Sequence, residues 1–367
     1  MKLKKENKLL VVNTIFGRRK GDIEQTFVDY TKCLVDLGCN TTLLAYKDAP
    51  ILNVVPQDVP RHTIPNFGQW DPLVGWKLKN AIQEIKPDVI IAHGNRTNSL
   101  LNKTITDVPI IGVCHNINPR QATEHNPLIT VSDELRRTLI KKGHNPNSIY
   151  TIPHMVYIPT YLTETNNKWH NPPVIGALGR FVAKKGFTVF LNALNILRNR
   201  NIQFKAILGG DGIEMSKLKQ LAHELNLENL VEFPGWIEDK NTFFSSIDLF
   251  CLPSLHEPVG MVILEAFMHS ITVITSDTDG PMEIVRPHID ALMVEAGDAV
   301  KLANALEKLI QNPNFAVKLA KEGFNNVTTN YESKAIGKKL YNVIEKVVSN
   351  YNADNHTHIN KGDLILV

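Results

Sequence analysis

The chain has 367 residues, 43% of them hydrophobic and 21% charged, the make-up of a globular protein long enough for two cores. A net charge of +3 excludes a nucleic-acid polycation. No run nears the roughly 18–20 apolar residues of a membrane-crossing helix, and Leu9-Leu10-Val11-Val12 is too short for the apolar part of a cleaved leader. A cytoplasmic protein with no nucleic-acid partner is expected, any membrane contact being peripheral.

The chain opens basic: seven Lys or Arg against Glu6 within residues 1–20. Such an end can attract phosphates or an anionic membrane face, and a solvated, partly disordered start explains it equally well. Apolar runs at 9–12, 42–45, 89–92, 110–114 and 129–131 predict buried strands. Between the first two, Phe27, Tyr30, Thr31, Leu34 and Leu37 recur at helical spacing, with Gly38 as a stop. Cysteines 33, 39, 114 and 251 form no C-x-x-C pair and fit buried free thiols in a reducing compartment.

Residues 158–173 are rich in Pro, Asn and Thr, lack periodicity and read as a linker. The alternation then restarts, with strands predicted at 174–178, 204–208, 231–233, 249–252 and 271–275. Helices are predicted at 187–198, 214–225, 261–269, 299–310, 314–327 and 335–348. The tail from Tyr351 is polar and poorly patterned. Strands alternating with helices imply an α/β protein with parallel sheets. The expected division is an N-terminal domain at 1–160, a second domain at 161–335, a C-terminal helix at 336–352 packing back toward the first lobe, and a polar tail at 353–367. A cleft between lobes is the default ligand site.

The densest chemistry lies at residues 254–266, Ser-Leu-His-Glu-Pro-Val-Gly-Met-Val-Ile-Leu-Glu-Ala. A strand meets a Pro/Gly turn, and an apolar helix starts near Val259. Free N–H groups at a helix start attract phosphate, and Gly260 permits close approach to that backbone. Glu257 stands in the turn and Glu265 on the helix. A carboxylate on so apolar a helix needs a partner, either a cation or a ligand hydroxyl. Residues 178–186, Leu-Gly-Arg-Phe-Val-Ala-Lys-Lys-Gly, place Arg180 and Lys185 in a strand-to-helix loop. Cations there can clamp a diphosphate in place of a metal ion; an ordinary basic loop is the plainer alternative. No Asp-x-Asp pair is assigned to a strand end, so no metal site and no cofactor are expected. The turn at 209–212, Gly-Gly-Asp-Gly, is weak evidence alone. Residues 279–285 also follow a strand and could close over a ligand; the plainer alternative is a capped turn with Asp279 as N-cap.

The order of these motifs resembles the retaining, GT-B-fold glycosyltransferases of family 4 (glycosyl transferases group 1). The matching elements are Gly-Arg-(x)4-Lys-Gly at 179–186, Gly-x-Gly at 210–212, Val-x-Phe-x-Gly at 231–235, Glu-x7-Glu at 257–265 and Gly-x-x-Glu-Ile-Val at 280–285. Fainter likenesses lie at 130–136 and at 152–156. The resemblance implies two Rossmann-like, doubly wound lobes. It implies transfer of a sugar, with retention, from a nucleoside-diphosphate sugar to a glycan or lipid-linked acceptor, lipopolysaccharide among them. Arg180 and Lys185 would then bind the donor diphosphate and Glu265 the ribose. Glu257 would lie beside the sugar, the backbone at Val259, Gly260 and Met261 would touch the phosphate or the sugar, and Gly210, Trp236 and Ile237 would border the nucleotide. His115, after the strand at 110–114, matches a family His near the donor sugar, with His93 a weaker candidate.

The chain departs from the pattern in its first loop. Gly21-Asp22-Ile23-Glu24 stands where the family has Gly-Gly-x-Glu, which puts the donor contact of Gly21 in question. Val259 replaces a common Phe, and Ser270 a common Gly. A nucleotide-sugar epimerase of the same fold, or a non-catalytic nucleotide-sugar binder, are the competing readings. Arg136, Arg137, Lys141 and Lys142 add to the basic start as a surface for an anionic membrane, on the inner face of the cell membrane.

Overall fold

The computed structural model describes residues 8–17, 22–65, 73–115, 126–159 and 169–362. It divides into two compact units, residues 1–155 with 333–367, and residues 156–332.

Unit 1 carries seven parallel strands: β1 (Leu10–Ile15), β2 (Asn40–Tyr46), β3 (Arg61–Ile64), β4 (Val89–His93), β5 (Ile110–Cys114), β6 (Leu128–Thr130) and β7 (Ile149–Thr151). Their spatial order is β3-β2-β1-β4-β5-β6-β7. Helices α1 (Asp22–Asp36), α2 (Val74–Ile85), α3 (Asn95–Asn102) and α4 (Asp133–Lys141) alternate with them. Strands β4 and β5 are buried at every residue, as helices on both faces of a parallel sheet require. Gly38, at φ +78°, ends the α1 segment, and Cys39 N–H donates to Leu34 O at 3.0 Å.

Unit 2 carries six parallel strands: β8 (Val174–Leu178), β9 (Lys205–Gly209), β10 (Val231–Glu232), β11 (Leu249–Leu252), β12 (Thr272–Ser276) and β13 (Ala291–Val294). Their order is β10-β9-β8-β11-β12-β13. Helices α5 (Phe187–Asn199), α6 (Met215–Glu224), α7 (Lys240–Ser245), α8 (Met261–Met268), α9 (Asp279–Ile284), α10 (Ala299–Gln311) and α11 (Pro313–Asn330) complete it. Two apolar clusters hold the unit. Phe181, Phe187, Phe190 and Phe204 belong to one, and Phe243, Phe244, Phe250 and Phe267 to the other.

The last helix, α12 (Ser333–Gly362), returns to unit 1 and packs on α1, where Gly337 meets Cys33. It runs past the polar tail expected from Tyr351. Asn, Asp, His and Thr are indifferent helix formers, but no Gly or Pro interrupts 338–361, so nothing stops the helix earlier. Strands β3, β7 and β13 and helices α2, α3 and α7 add to the elements predicted from the sequence. The linker falls largely on 160–168 and Gly21 on 18–21, both outside the described residues. The four cysteines are free, and Cys33, Cys114 and Cys251 are buried. Among the described residues no helix is long and apolar enough to cross a membrane.

Glycines let the loops after the unit 2 strands touch backbone to backbone. Gly210 sits at φ +142°, and a Cβ there would lie 1.9 Å from Gly179 O. A Cβ on Gly186, at φ +67°, would lie 2.0 Å from Pro253 O. Phe181 N–H donates to Asp211 O at 2.8 Å, and Leu255 N–H to Lys184 O at 2.8 Å. The loop after β8 is thus wedged between those after β9 and β11. Gly210→Ala is expected to lower stability by about 3 kcal/mol or more, since backbone strain and a hard backbone clash add. Gly235→Ala, at φ +85° with open space around it, is expected to lose only about 1–2 kcal/mol. Urea unfolding of the two variants measures the contrast.

Candidate functional site

In unit 2 the chain lays strands outward from β8 through β9 to β10, then returns to place β11 on the other side of β8. The loops after β8 and β11 therefore leave the sheet in opposite directions and open a crevice at the carboxyl ends of the strands. That is the position at which doubly wound sheets bind ligands. The loop after β8 carries Arg180 and Lys185, and the loop after β11 carries Glu257.

Lys185 Nζ donates to Glu257 Oε2 across the crevice. Ser254 Oγ donates to the same oxygen at 3.2 Å. The Lys185 and Glu257 side chains are only 17% and 10% exposed. A carboxylate so far out of water requires such partners. Ser254 is itself fixed, because Ser276 Oγ donates to its carbonyl at 2.5 Å. Arg180 is exposed at the same loop, and among the described residues its guanidinium makes no ion pair.

Helix α8 begins at Met261 behind Gly260, which holds φ +80° and gives no side-chain cap. The first-turn N–H groups thus face the crevice end uncapped by a side chain. Gly280 presses on Val259, since a Cβ there would come within 2.4 Å of Val259 N, and its N–H donates to Glu257 O at 2.9 Å. Glu265 projects from α8 with 23% of its side chain exposed. Both its oxygens accept from Lys240 Nζ, at 2.6 and 2.8 Å. Of the two partners open to Glu265, this structure shows the cation. Trp236 is 62% exposed, and Ile237 is half-buried beside Gly209.

Two expectations need correction. Thr278, not Asp279, is the N-cap residue of α9; Asp279 is its first residue, because the backbone turns helical one residue earlier than a cap at 279 requires. An Asp-x-Asp does stand at a strand end, Asp277-Thr278-Asp279 directly after β12. Asp277 is engaged in the fold: its Oδ1 accepts from Ala296 N–H at 2.8 Å. Among the described residues no group of three or more His, Cys, Asp or Glu is gathered for a metal ion. Sequence reasoning passed over Ser254, three residues before Glu257 in a legible motif, and Lys240, for which the sequence offers no signal.

In unit 1 the order reverses between β1 and β4. His93 ends β4 and His115 follows β5. Asn13 Nδ2 donates to Phe27 O at 3.0 Å and to Thr31 Oγ1 at 2.9 Å. Its Oδ1 is therefore left to accept from His93 Nε2, 2.9 Å away, which leaves His93 Nδ1 unprotonated and without a partner among the described residues. The His115 ring lies 6.3 Å from that of His93 and 6.0 Å from that of His154. Both of its nitrogens are out of solvent and without hydrogen bonds among the described residues. Burial, then the neighbouring His154, pushes the His115 pKa down to about 3; burial, then His115, holds His93 well below the usual range. Both rings are neutral near pH 7. Of the basic residues of α4, Arg136 donates to the Ile149 and Pro146 carbonyls, and Arg137 pairs with Glu134. Lys141 and Lys142 are exposed.

Two doubly wound parallel units, one with a charged crevice at its switch point, define a two-unit Rossmann-like protein of the GT-B type. Residues 162–326 match the family described as glycosyl transferases group 1, and residues 23–158 match glycosyltransferase family 4. The two glycosyltransferase models together cover most of the chain, and residues 162–326 carry the group 1 glycosyl transferase domain. The lipopolysaccharide core biosynthesis glycosyltransferase LpsE of Rhizobium meliloti (strain 1021) is 34% identical over 164 residues, 45% of this chain and 47% of that protein. LpsD of the same organism is 34% identical over 176 residues, 48% of this chain and 50% of that protein. The chain spans about half the length of the curated relatives it matches. In fold it is similar to the Anabaena protein HepE, solved in complex with UDP and glucose, at a TM-score of 0.75 and 20% identity, over 92% of this chain and 100% of that one.

The histidine pair gives a pH prediction. In the unfolded chain His115 takes a proton below about pH 6.5, whereas in the fold it stays neutral down to about 3. Its contribution to stability is therefore complete above pH 6.5 and is lost as pH falls toward 3. Asp29 acts in the opposite sense: burial raises its pKa to about 6, so the fold takes up its proton first. The difference between wild type and His115→Gln separates the two. Urea midpoints from pH 7 to 5 should fall less steeply in His115→Gln, by up to about 1 kcal/mol per pH unit; parallel curves would show that His115 is not buried neutral.

Proposed function

We propose that this chain is a retaining glycosyltransferase that moves a sugar from a nucleoside-diphosphate sugar to a glycan or lipid-linked, lipopolysaccharide-type acceptor without a metal ion. The observation that carries this reading is the Lys185–Glu257 pair at the β8/β11 switch point, with exposed Arg180 on the same loop. An arriving diphosphate brings two negative charges to Lys185. It displaces Glu257 from the ammonium, and Arg180 closes on the phosphates with its planar fork. The freed Glu257 carboxylate turns to a hydroxyl of the transferred sugar. Glu265, held ready by Lys240, takes the ribose hydroxyls, and the uncapped start of α8 adds N–H groups for phosphate oxygens. Gly210, Trp236 and Ile237 border the base. Neutral His115 offers hydrogen bonds to an uncharged hydroxyl.

The step breaks the bond between the anomeric carbon and the phosphate oxygen, and forms one from the acceptor oxygen to the same carbon. The acceptor proton passes to the leaving phosphate, so acceptor and leaving group share one face and configuration is retained. Cations already fixed at the crevice stabilise the charge that grows on the leaving group. The LpsE and LpsD names support a lipopolysaccharide-type acceptor, and the UDP complex of HepE supports a nucleotide donor. Of the basic residues at α4, Lys141 and Lys142 are exposed to meet an anionic membrane surface.

Arg180→Ala and Lys185→Ala should each weaken UDP binding at least tenfold and lower kcat/KM by on the order of 10²–10³. Glu257→Gln should lower turnover by a similar factor while nucleotide affinity stays within threefold. Calorimetry with UDP and a donor-hydrolysis or transfer assay measure both. Wild-type turnover in Arg180→Ala would sink the diphosphate assignment, and conversion of donor without an acceptor would point to an epimerase. With saturating EDTA, transfer should proceed at the untreated rate, and loss that Mg²⁺ or Mn²⁺ restores would overturn metal independence.

A further inference from the structure

Unit 1 holds a cavity of about 750 Å³ at the opposite end of its sheet from His93 and His115. Ile110 opens β5, Pro127 stands before β6 and Ser148 before β7; all three line the cavity. Because the strands are parallel, these residues mark the amino ends, whereas His93 closes β4 and His115 follows β5. Residues Val347, Asn350 and Tyr351 of α12 form another wall. The volume falls within the range of sites for small organic ligands.

The lining has a distinct chemistry. None of its fifteen described residues is Asp, Glu, Lys, Arg or His, although a fifth of the whole chain is charged. Five are asparagines: Asn102, Asn126, Asn145, Asn147 and Asn350. Each amide has a donor and an acceptor side by side. That pairing matches two neighbouring hydroxyls, one giving and one taking a proton. Some of this capacity is used within the wall: Asn126 donates to Asn102, and Asn145 Oδ1 accepts from Asn147 N–H at 3.0 Å. The side chains of Asn147 and Asn350 are exposed and make no such bond among the described residues.

The lining also includes the apolar Ile105, Val108, Pro109 and Pro127 and the rings of Tyr150 and Tyr351. The tyrosines are braced. Lys346 Nζ lies 5.2 Å from the Tyr150 ring centroid, and Tyr351 Oη donates to Thr106 O at 3.4 Å. A ligand that suits this lining has hydroxyls at its edge and C–H faces to lay on apolar and aromatic walls. Among the described lining residues a phosphate or nucleotide finds no cation. An acyl chain would make no use of the exposed amides of Asn147 and Asn350.

We propose that this cavity is a second saccharide site, taking an uncharged sugar unit on residues distinct from those of the donor crevice. It does not depend on the donor reading, since its residues lie in unit 1 and the crevice in unit 2. Its role would be to hold a glycan chain while chemistry proceeds elsewhere, through many weak contacts rather than one strong pair.

The test uses the full chain and saturation-transfer NMR with D-glucose, D-galactose, N-acetyl-D-glucosamine and lactose, each in the presence of saturating UDP. At least one should show transfer with an affinity on the order of 1 mM, unchanged in Arg180→Ala. Asn350→Trp, which fills the cavity from an exposed helix position, and Asn147→Ala should each weaken it at least tenfold without shifting the thermal midpoint. If one variant fails to fold, the other decides. The proposal is overturned by no transfer from any of the four sugars, by a signal that both cavity variants leave intact, or by one that Arg180→Ala removes. Preference for glucose 6-phosphate over glucose would equally contradict an uncharged site.

Discussion

A parallel sheet that grows outward in both directions from one strand pair leaves the carboxyl ends of that pair uncovered. In unit 2 the pair is β8 and β11. One loop leaves toward α5 and the other toward α8, and where they meet Lys185 and Glu257 form an ion pair across them. Two charges this far from water lose most of their hydration, and their mutual attraction repays it only with further hydrogen bonds. Ser254 supplies one to the shared Glu257 oxygen. The arrangement is stable while closed and well suited to exchange, because an incoming dianion offers Lys185 more charge than Glu257 does.

The glycines are the condition for that closeness. Gly186 lets the β8 loop pass against Pro253, Gly210 lets it pass against its own neighbour, and Gly280 lets α9 press on Val259. In each case a single methyl group would meet backbone, which cannot rotate away. The motifs Gly-Arg, Gly-Gly-Asp-Gly and Gly-Pro therefore read together as one packing problem with charged residues set between its parts. The same loops fix Glu257 from two sides, through the Gly280 N–H on its carbonyl and Ser254 on its carboxylate. A donor entering the crevice would meet groups whose backbone cannot relax away from it, which is what preorganisation requires.

The buried strands were legible because a parallel strand covered on both faces is a short unbroken apolar run; β4, β5, β8, β11 and β12 all read that way. Edge strands β3, β7 and β13 were not, since they are three or four residues long and only partly buried. The charged loops were legible as motifs, but their pairing was not. Lys185 and Glu257 are 72 residues apart, and Lys240 and Glu265 are 25 apart, so only the folded sheet brings them together. Asp277-Thr278-Asp279 shows the reverse error. The spacing was visible in the chain, yet the backbone already engages Asp277 through Ala296. The asparagine cavity drew on residues from 102 to 351, which no local pattern could assemble.

The two units set up opposite electrostatics at equivalent places. At the β8/β11 reversal unit 2 gathers full charges that partner one another. Near the β1/β4 reversal unit 1 gathers imidazoles that burial keeps neutral, each lowering the next by proximity. A buried neutral ring with unpartnered nitrogens can hydrogen-bond an uncharged hydroxyl without the desolvation that a cation would suffer. A charged crevice suits phosphates, and a neutral one suits sugar hydroxyls. Protonating His115 would place a cation among His93 and His154, and the fold resists this by several pH units. The division of charge between the units is therefore built into their packing.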